Sequence, residues 1–134
     1  MEPIKIIVKD ANITVFNSVD ITSDMIGLKC IFNFNTTWKH LIKNVIFRAG
    51  TITKTIIDIQ DNKVEVPVEV LQEVGSILDI GIEGISIDGT IEIPTIFAAV
   101  GRIYQGAQVD DYENVPPVWK QIYRIAEEAK QIAG

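Results

Sequence analysis

Histidine and cysteine, which often carry nucleophilic or metal chemistry, occur once each in this chain of 134 residues. His40 lies ten residues after Cys30, in what we interpret as a different segment, so the pair is not expected to reach hydrogen-bonding distance. A single histidine also excludes a two-histidine metal site within one subunit. Cys30 cannot form an internal disulfide and is interpreted as a small, inert apolar residue.

The serines and glycines match no catalytic or nucleotide-binding pattern. No serine lies in a G-x-S-x-G nucleophile elbow, and the chain has neither G-x-x-x-x-G-K nor G-x-G-x-x-G. The glycines of "GIEGISIDG" (81–89) are interpreted as turn residues because no helix is predicted after them. We therefore predict no catalytic residue and no enzyme, and a small hydrolase is the weakest of the functional hypotheses.

An acidic cluster, Asp110, Asp111 and Glu113, carries the oxygen ligands that calcium prefers. These residues lack the regular spacing of an EF-hand loop, so we interpret the cluster as part of a solvated linker. The sequence predicts no metal site and no cofactor.

The composition excludes several classes of partner. The net charge of −6 and the pI near 4.7 argue against nucleic acid, because phosphate contacts require clustered lysine and arginine. The N-terminal "MEPIKIIVKD" does not have the pattern of a signal peptide, and no apolar run is long enough to span a bilayer, so no membrane is predicted as a partner. The apolar fraction of 47% argues against disorder.

The stretch 37–71 is the part of the chain around which the predicted fold is organised. Residues 42–59 are rich in β-branched side chains, which pack well on a half-buried pleated surface, and Gly50 divides them into two predicted strands. Asp61 and Asn62 tolerate turn geometry and are predicted to connect two strands. Pro67 is expected to end the third strand, at residues 63–66, or to lie at an edge, because it cannot donate a ladder hydrogen bond.

Short alternating segments on either side predict further strands. Residues 4–17 are interpreted as an opening hairpin, and residues 28–34 as a strand that buries one face. Asp88-Gly89 between alternating apolar runs is a strong hairpin signal, and Pro94 is expected to break the alternation that follows. Such short, evenly spaced strands favour a mostly β fold, an antiparallel β-sandwich, over a parallel α/β sheet.

By this interpretation the chain has three parts: a β-sandwich domain at 1–104, an acidic linker at 105–115 and an α-helix at 116–134. Pro116 and Pro117 suit a first helical turn, where amide hydrogens have no intrahelical partner. Apolar residues then recur at alternating spacings of three and four, the pattern of a coiled-coil seam. The predicted oligomer interface comprises Val115, Val118, Trp119, Ile122, Ile125, Ala129 and Ile132.

Isoleucine at both seam positions favours three helices over two, so the predicted assembly is a homo-trimer. The alternative is a helix that docks on its own domain, because the seam is shorter than the three to four heptads that define a secure coiled coil.

The order of these motifs resembles that of a group of phage proteins. "TTWKHL" in a polar loop is followed by a "VIF" strand, an Asp-rich turn, "VEVPVEVL", a glycine-punctuated strand, a Pro-Pro linker and a helix that ends in "IAEEAKQIAG". Over roughly residues 4–133, this order is similar to the N-terminal domain of bacteriophage upper baseplate proteins and to the attachment domains of phage tail fibres and head fibres.

The resemblance implies a non-enzymatic virion protein, assembled in the cytoplasm of the bacterial host. Its β-sandwich would anchor a fibre to a baseplate, tail or capsid, and its helix would begin a trimeric stalk. Trp38, Phe47 and Pro67 match scaffold positions of this family. Family members usually continue beyond the position of Gly134, so we expect either a fragment or a short attachment protein whose partner carries the receptor-binding part.

A carbohydrate-binding β-sandwich that adheres to host surfaces is the alternative function. In that case Trp38, Tyr104 or Tyr112 would stack on sugar rings.

Overall fold

The computed structural model describes residues 1–17 and 19–106, and Met1–Tyr104 form one compact unit. The described residues contain nine strands, a 3₁₀ helix at Thr36–Trp38 and a short helix α1 at Val68–Leu71. The strands are, in chain order, β1 (Ile4–Lys9), β2 (Asn12–Val15), β3 (Ile21–Thr22), β4 (Lys29–Phe34), β5 (Ile42–Ala49), β6 (Ile52–Ile56), β7 (Lys63–Glu65), β8 (Ile77–Ile85) and β9 (Ile91–Tyr104).

The strands form a four-stranded sheet, in the order β2-β1-β4-β7, and a five-stranded sheet, in the order β3-β9-β8-β5-β6. The prediction of a mostly β domain is confirmed, but the expectation of purely antiparallel strands is wrong. β1 pairs with β4 in parallel, and β3 pairs with β9 in parallel. The β1–β4 pair is parallel because the chain passes through β2 and β3 before it returns beside β1, as a parallel connection requires.

The predicted turns are present, and backbone conformation explains their residues. Lys9 pairs with Asn12, so β1 and β2 are joined by a two-residue turn that begins with Asp10, whose φ is 52°. Asp61 and Asn62 both have a φ of 56°, the left-handed region that aspartate and asparagine enter more readily than most residues. These turns could be found from sequence because the requirement for positive φ is local.

Pro94 interrupts the alternation as predicted, because the burial pattern changes phase at Thr95–Ile96, but the strand does not end there. β9 continues through Pro94, and its register against β8 shifts between Ile93 and Ile96. A bulge of this kind leaves a position without a ladder partner, which is where a sheet tolerates proline.

The inner faces of both sheets meet in one hydrophobic core. In β1 and β4, every second side chain is buried, except that Phe34 at the end of β4 is half-buried, and the intervening side chains form an outer face. Val70 and Leu71 of α1 also belong to the core. The largest fully buried side chains are Trp38, Phe47, Ile4, Ile6, Ile21, Leu28, Leu71, Leu78, Ile80, Ile82 and Ile103.

Most of the predicted linker and the whole predicted helix lie outside the described residues. The same is true of the predicted interface residues, Val115, Val118, Trp119, Ile122, Ile125, Ala129 and Ile132. In the part of the chain that the structure describes, no helix has the length and hydrophobicity needed to cross a bilayer.

Candidate functional site

Trp38 is fully buried at the end of the 3₁₀ helix. Its Nε1 donates a hydrogen bond to the carbonyl oxygen of Asp10 at 2.9 Å, and its ring centroid lies 5.3 Å from that of Phe34. A sugar cannot stack on a ring with no exposed face. Trp38 therefore packs in the core and offers no binding surface in this structure.

Asp10 connects the β1–β2 turn to the 3₁₀ helix. Its carboxylate accepts hydrogen bonds from Thr37 Oγ1 at 2.7 Å and from Asn35 Nδ2 at 2.9 Å. Its amide nitrogen donates to Asn35 Oδ1 at 3.2 Å. The bonds from Thr37 and Asn35 lower the pKa of Asp10, because they stabilise the ionised carboxylate. The sequence analysis found the turn but missed this network, since its partners are 25 or more residues away.

The other residues named by sequence are dispersed over the domain. Phe47 is fully buried in β5, and Pro67 immediately precedes α1. His40 is exposed in the turn after the 3₁₀ helix, whereas Cys30 is buried in β4, where desolvation raises the pKa of its thiol to about 12. Within residues 1–17 and 19–106, no group of three or more acidic, histidine or cysteine side chains could bind a metal ion.

The structure describes two of the three residues that were predicted to stack on a sugar, Tyr104 and Trp38. Tyr104 lies at the end of β9 and is exposed, whereas Trp38 is buried. Tyr112 lies outside the described residues, as do Asp110, Asp111 and Glu113 of the acidic cluster.

The outer face of the four-stranded sheet combines exposed apolar side chains with lysines. Ile7 of β1 and Ile31 of β4 lie diagonally across the β1–β4 pair, and Phe16 follows β2 next to Lys5. A groove of about 310 Å³ lies among these residues. We call this surface the lysine face, and it comprises Lys5, Ile7, Lys9, Phe16, Lys29, Ile31, Asn33, Lys63 and Glu65.

The lysines of this face have no ion-pair partner within the described residues. Its single glutamate, Glu65, is paired in register with Lys29, but their charged groups do not approach within 4.0 Å. The face therefore carries a local positive charge in a chain whose net charge is −6. The sequence contained a signal for it: Ile7 and Ile31 stand at the polar positions of otherwise alternating strands.

The outer face of the five-stranded sheet also carries an aromatic ring and a cation, which contact each other. Arg48 Nη2 lies 3.3 Å from Asp79 Oδ2, and its guanidinium carbon lies 4.0 Å from the ring centroid of Phe97. Phe97 covers Gly81, at which a Cβ atom would approach the ring to 2.6 Å. We call Arg48, Asp79, Gly81 and Phe97 the arginine face.

A cleft of about 290 Å³ opens beside the 3₁₀ helix. It is lined by Phe34, Asn35, Thr36, Trp38, Lys39, Lys43 and Asn62. None of these described lining residues is acidic, and two of them are lysines. The cleft and the lysine face share no residue.

No protein-family model, curated protein or solved structure matches the chain. The functional proposal therefore depends on the surfaces described above and on the order of motifs in the sequence.

Proposed function

We propose that the chain is a non-enzymatic structural protein of a phage virion. In this proposal its β domain attaches a fibre or a receptor-binding assembly to the baseplate, tail or capsid. The order of motifs in the sequence supports the phage assignment. The observation that carries the attachment role is the lysine face.

The apolar residues of the lysine face have the character of an interface centre. Phe16 is 68% exposed and Ile31 is 36% exposed, although both lie on or next to a regular sheet whose other outer positions, Ile7 excepted, are polar. Protein interfaces commonly place aromatic and aliphatic side chains at the centre and polar groups at the rim. Burial of a phenylalanine ring removes roughly 150–250 Å² from water, at roughly 25 cal/mol per Å² of apolar area.

The charge at the rim indicates which partner fits. Four lysines and one glutamate surround the apolar centre, so the complementary surface is an acidic one with its own apolar centre. We propose that this partner is another virion protein. Complementary charge at a rim accelerates association and selects among partners more than it adds affinity.

Incorporation into particles tests this assignment. Particles would be purified from cells that carry the encoding phage genome, and the chain would be quantified by mass spectrometry. We expect the wild-type chain to co-purify with the particles. Its absence from purified particles would contradict the virion assignment.

A pair of isoleucine variants tests the lysine face. Ile31→Glu places a charge at the centre of the face and is expected to lower incorporation by roughly tenfold or more, since charged groups are depleted from interface centres. The matched control is Ile77→Glu, which changes the same residue type at similar exposure, 39%, in the five-stranded sheet. Equal incorporation of the two variants would exclude the lysine face as the docking surface.

The trimeric stalk remains a prediction from the heptad pattern, which lies outside the described residues. Light scattering on the full chain should give a mass of three 14.9-kDa subunits over a range of concentrations. Ile125→Asp in the seam is expected to yield monomers, whereas Gln121→Asp, which lies off the seam, should leave the trimer intact. A wild-type chain that is monomeric at every concentration would contradict this part of the proposal.

A further inference from the structure

The cleft beside the 3₁₀ helix contains the ammonium group of Lys43, which is partly shielded from solvent. Lys43 is half-buried, and its Nζ donates one hydrogen bond, to the carbonyl oxygen of Leu41 at 3.1 Å. An ammonium has three N–H donors, so two remain for other acceptors. Among the described residues, no carboxylate lies within 4.0 Å of Lys43.

Burial of Lys43 has a physical cost that its surroundings offset only in part. Desolvation lowers the pKa of Lys43, and the negative charge of Asp58 opposes that shift. Nζ also lies 5.1 Å from the ring centroid of Phe34, a favourable cation–π distance. An oxyanion in the cleft would supply the charge-assisted hydrogen bonds that the remaining donors lack.

We propose that this cleft binds a compact oxyanion, a carboxylate or phosphate group carried by a larger molecule. Lys43 and Lys39 act as the charged donors, and the side-chain amide of Asn62 acts as a neutral donor. The Asn35 side-chain amide donates one of its two N–H groups to Asp10. The lining residues of the cleft all lie in the β domain, and anion binding there does not require the proposed attachment function.

The aromatic residues of the cleft exclude a sugar ring as the preferred ligand. Phe34 stacks on Phe32 with centroids 5.4 Å apart, contacts Trp38 and lies beneath the Lys43 ammonium. Phe34 is half-buried, and these neighbours reduce the ring surface on which a sugar could stack. The lysine and asparagine donors favour an anion, because an anion is bound through charge and hydrogen bonds and needs no exposed aromatic ring.

The test is a titration of the isotopically labelled full chain, followed by NMR, with inorganic phosphate and separately with acetate. Sodium chloride would keep the ionic strength constant. We expect saturable shifts of the Lys39, Lys43 and Asn62 resonances. Saturation by phosphate alone would indicate a phosphate-bearing ligand, and saturation by acetate would indicate a carboxylate-bearing one.

Lysine variants decide whether the binding belongs to the cleft. Lys43→Met keeps the apolar stem but removes the charge, and it is expected to weaken anion binding about tenfold, the typical effect of losing one charge-assisted hydrogen bond. Lys39→Gln removes the charge of an exposed side chain. It should weaken anion binding about threefold, because an exposed lysine holds the anion less tightly than the half-buried Lys43. Lys54→Gln is the control, because Lys54 is exposed on β6 and does not line the cleft.

Two results would overturn the proposal. One is a set of shifts that grow linearly with anion concentration and never saturate. The other is equal affinity in the wild type, Lys39→Gln and Lys54→Gln. If Lys43→Met lost its folded spectrum, the comparison of Lys39→Gln with Lys54→Gln would still decide the question, since both changes affect exposed side chains.

Discussion

The arginine face and the lysine face occupy the outer sides of the two sheets, and both combine cations with an aromatic ring. On the arginine face, Arg48 contacts both Asp79 and Phe97, so charge and ring cover each other. On the lysine face, Phe16 is exposed and Lys29 has no ion-pair partner among the described residues. The cation and the ring of the first surface contact each other, whereas the described residues show no such contact for the cations and the ring of the second.

The two faces differ because one cross-strand pair of the arginine face contains a glycine. Gly81 is paired in register with Phe97, and the absence of a side chain allows the ring to lie over β8 and reach Arg48. The lysine face has isoleucines, Ile7 and Ile31, at its central positions. Ile7 and Ile31 are 38% and 36% exposed and Phe97 is 38% exposed, so the two faces differ in the contacts of their cations and not in the exposure of these side chains. Similar composition can therefore produce a face whose cation and ring contact each other or a face whose cations have no such partner among the described residues.

The largest expected effect is a difference in stability between alanine variants of the two phenylalanines, Phe97 and Phe16. Phe97→Ala removes a ring that packs on Arg48 and Gly81, and it should lower the free energy of unfolding by about 1–2 kcal/mol. Phe16→Ala should change it by less than about 0.5 kcal/mol, because Phe16 is mostly exposed. Urea denaturation of both variants measures the difference. Equal losses would mean that the two faces are not distinct in packing.

A smaller effect is expected from the cations. Arg48→Gln removes a partly exposed ion pair and a ring contact, and should cost about 0.5–1 kcal/mol in free energy of unfolding, less at high salt. Lys29→Gln should be nearly neutral for folding. The measurement is urea denaturation at low and high sodium chloride. A salt-independent loss in Arg48→Gln would show that the ring contact, and not the ion pair, dominates.

The smallest effect concerns the β1–β2 turn that borders the lysine face. The folded state lowers the pKa of Asp10, so its stabilising contribution is present above the unfolded value of about 4 and is lost as pH falls through the folded value. Asp10→Asn should therefore be less stable than the wild type at neutral pH, and the difference should shrink under acidic conditions. Urea midpoints across that pH range provide the test. A difference that did not change with pH would exclude ionised Asp10 as the cause.

Local features of the sequence determined much of the β domain. Asp10, Asp61 and Asn62 tolerate positive φ and lie between apolar segments, which together favour turns, because that conformational preference acts within one residue. Alternation of apolar and polar residues specified the buried face of β4.

Only the tertiary structure decided how these elements meet. The parallel β1–β4 pair depends on where the chain returns after β2 and β3, and the placement of Pro94 depends on a bulge opposite β8. The candidate sites follow the same rule. Asp10 meets Thr37, and Phe97 meets Arg48, across long stretches of chain, so their contacts depend on sheet register, which no local pattern encodes.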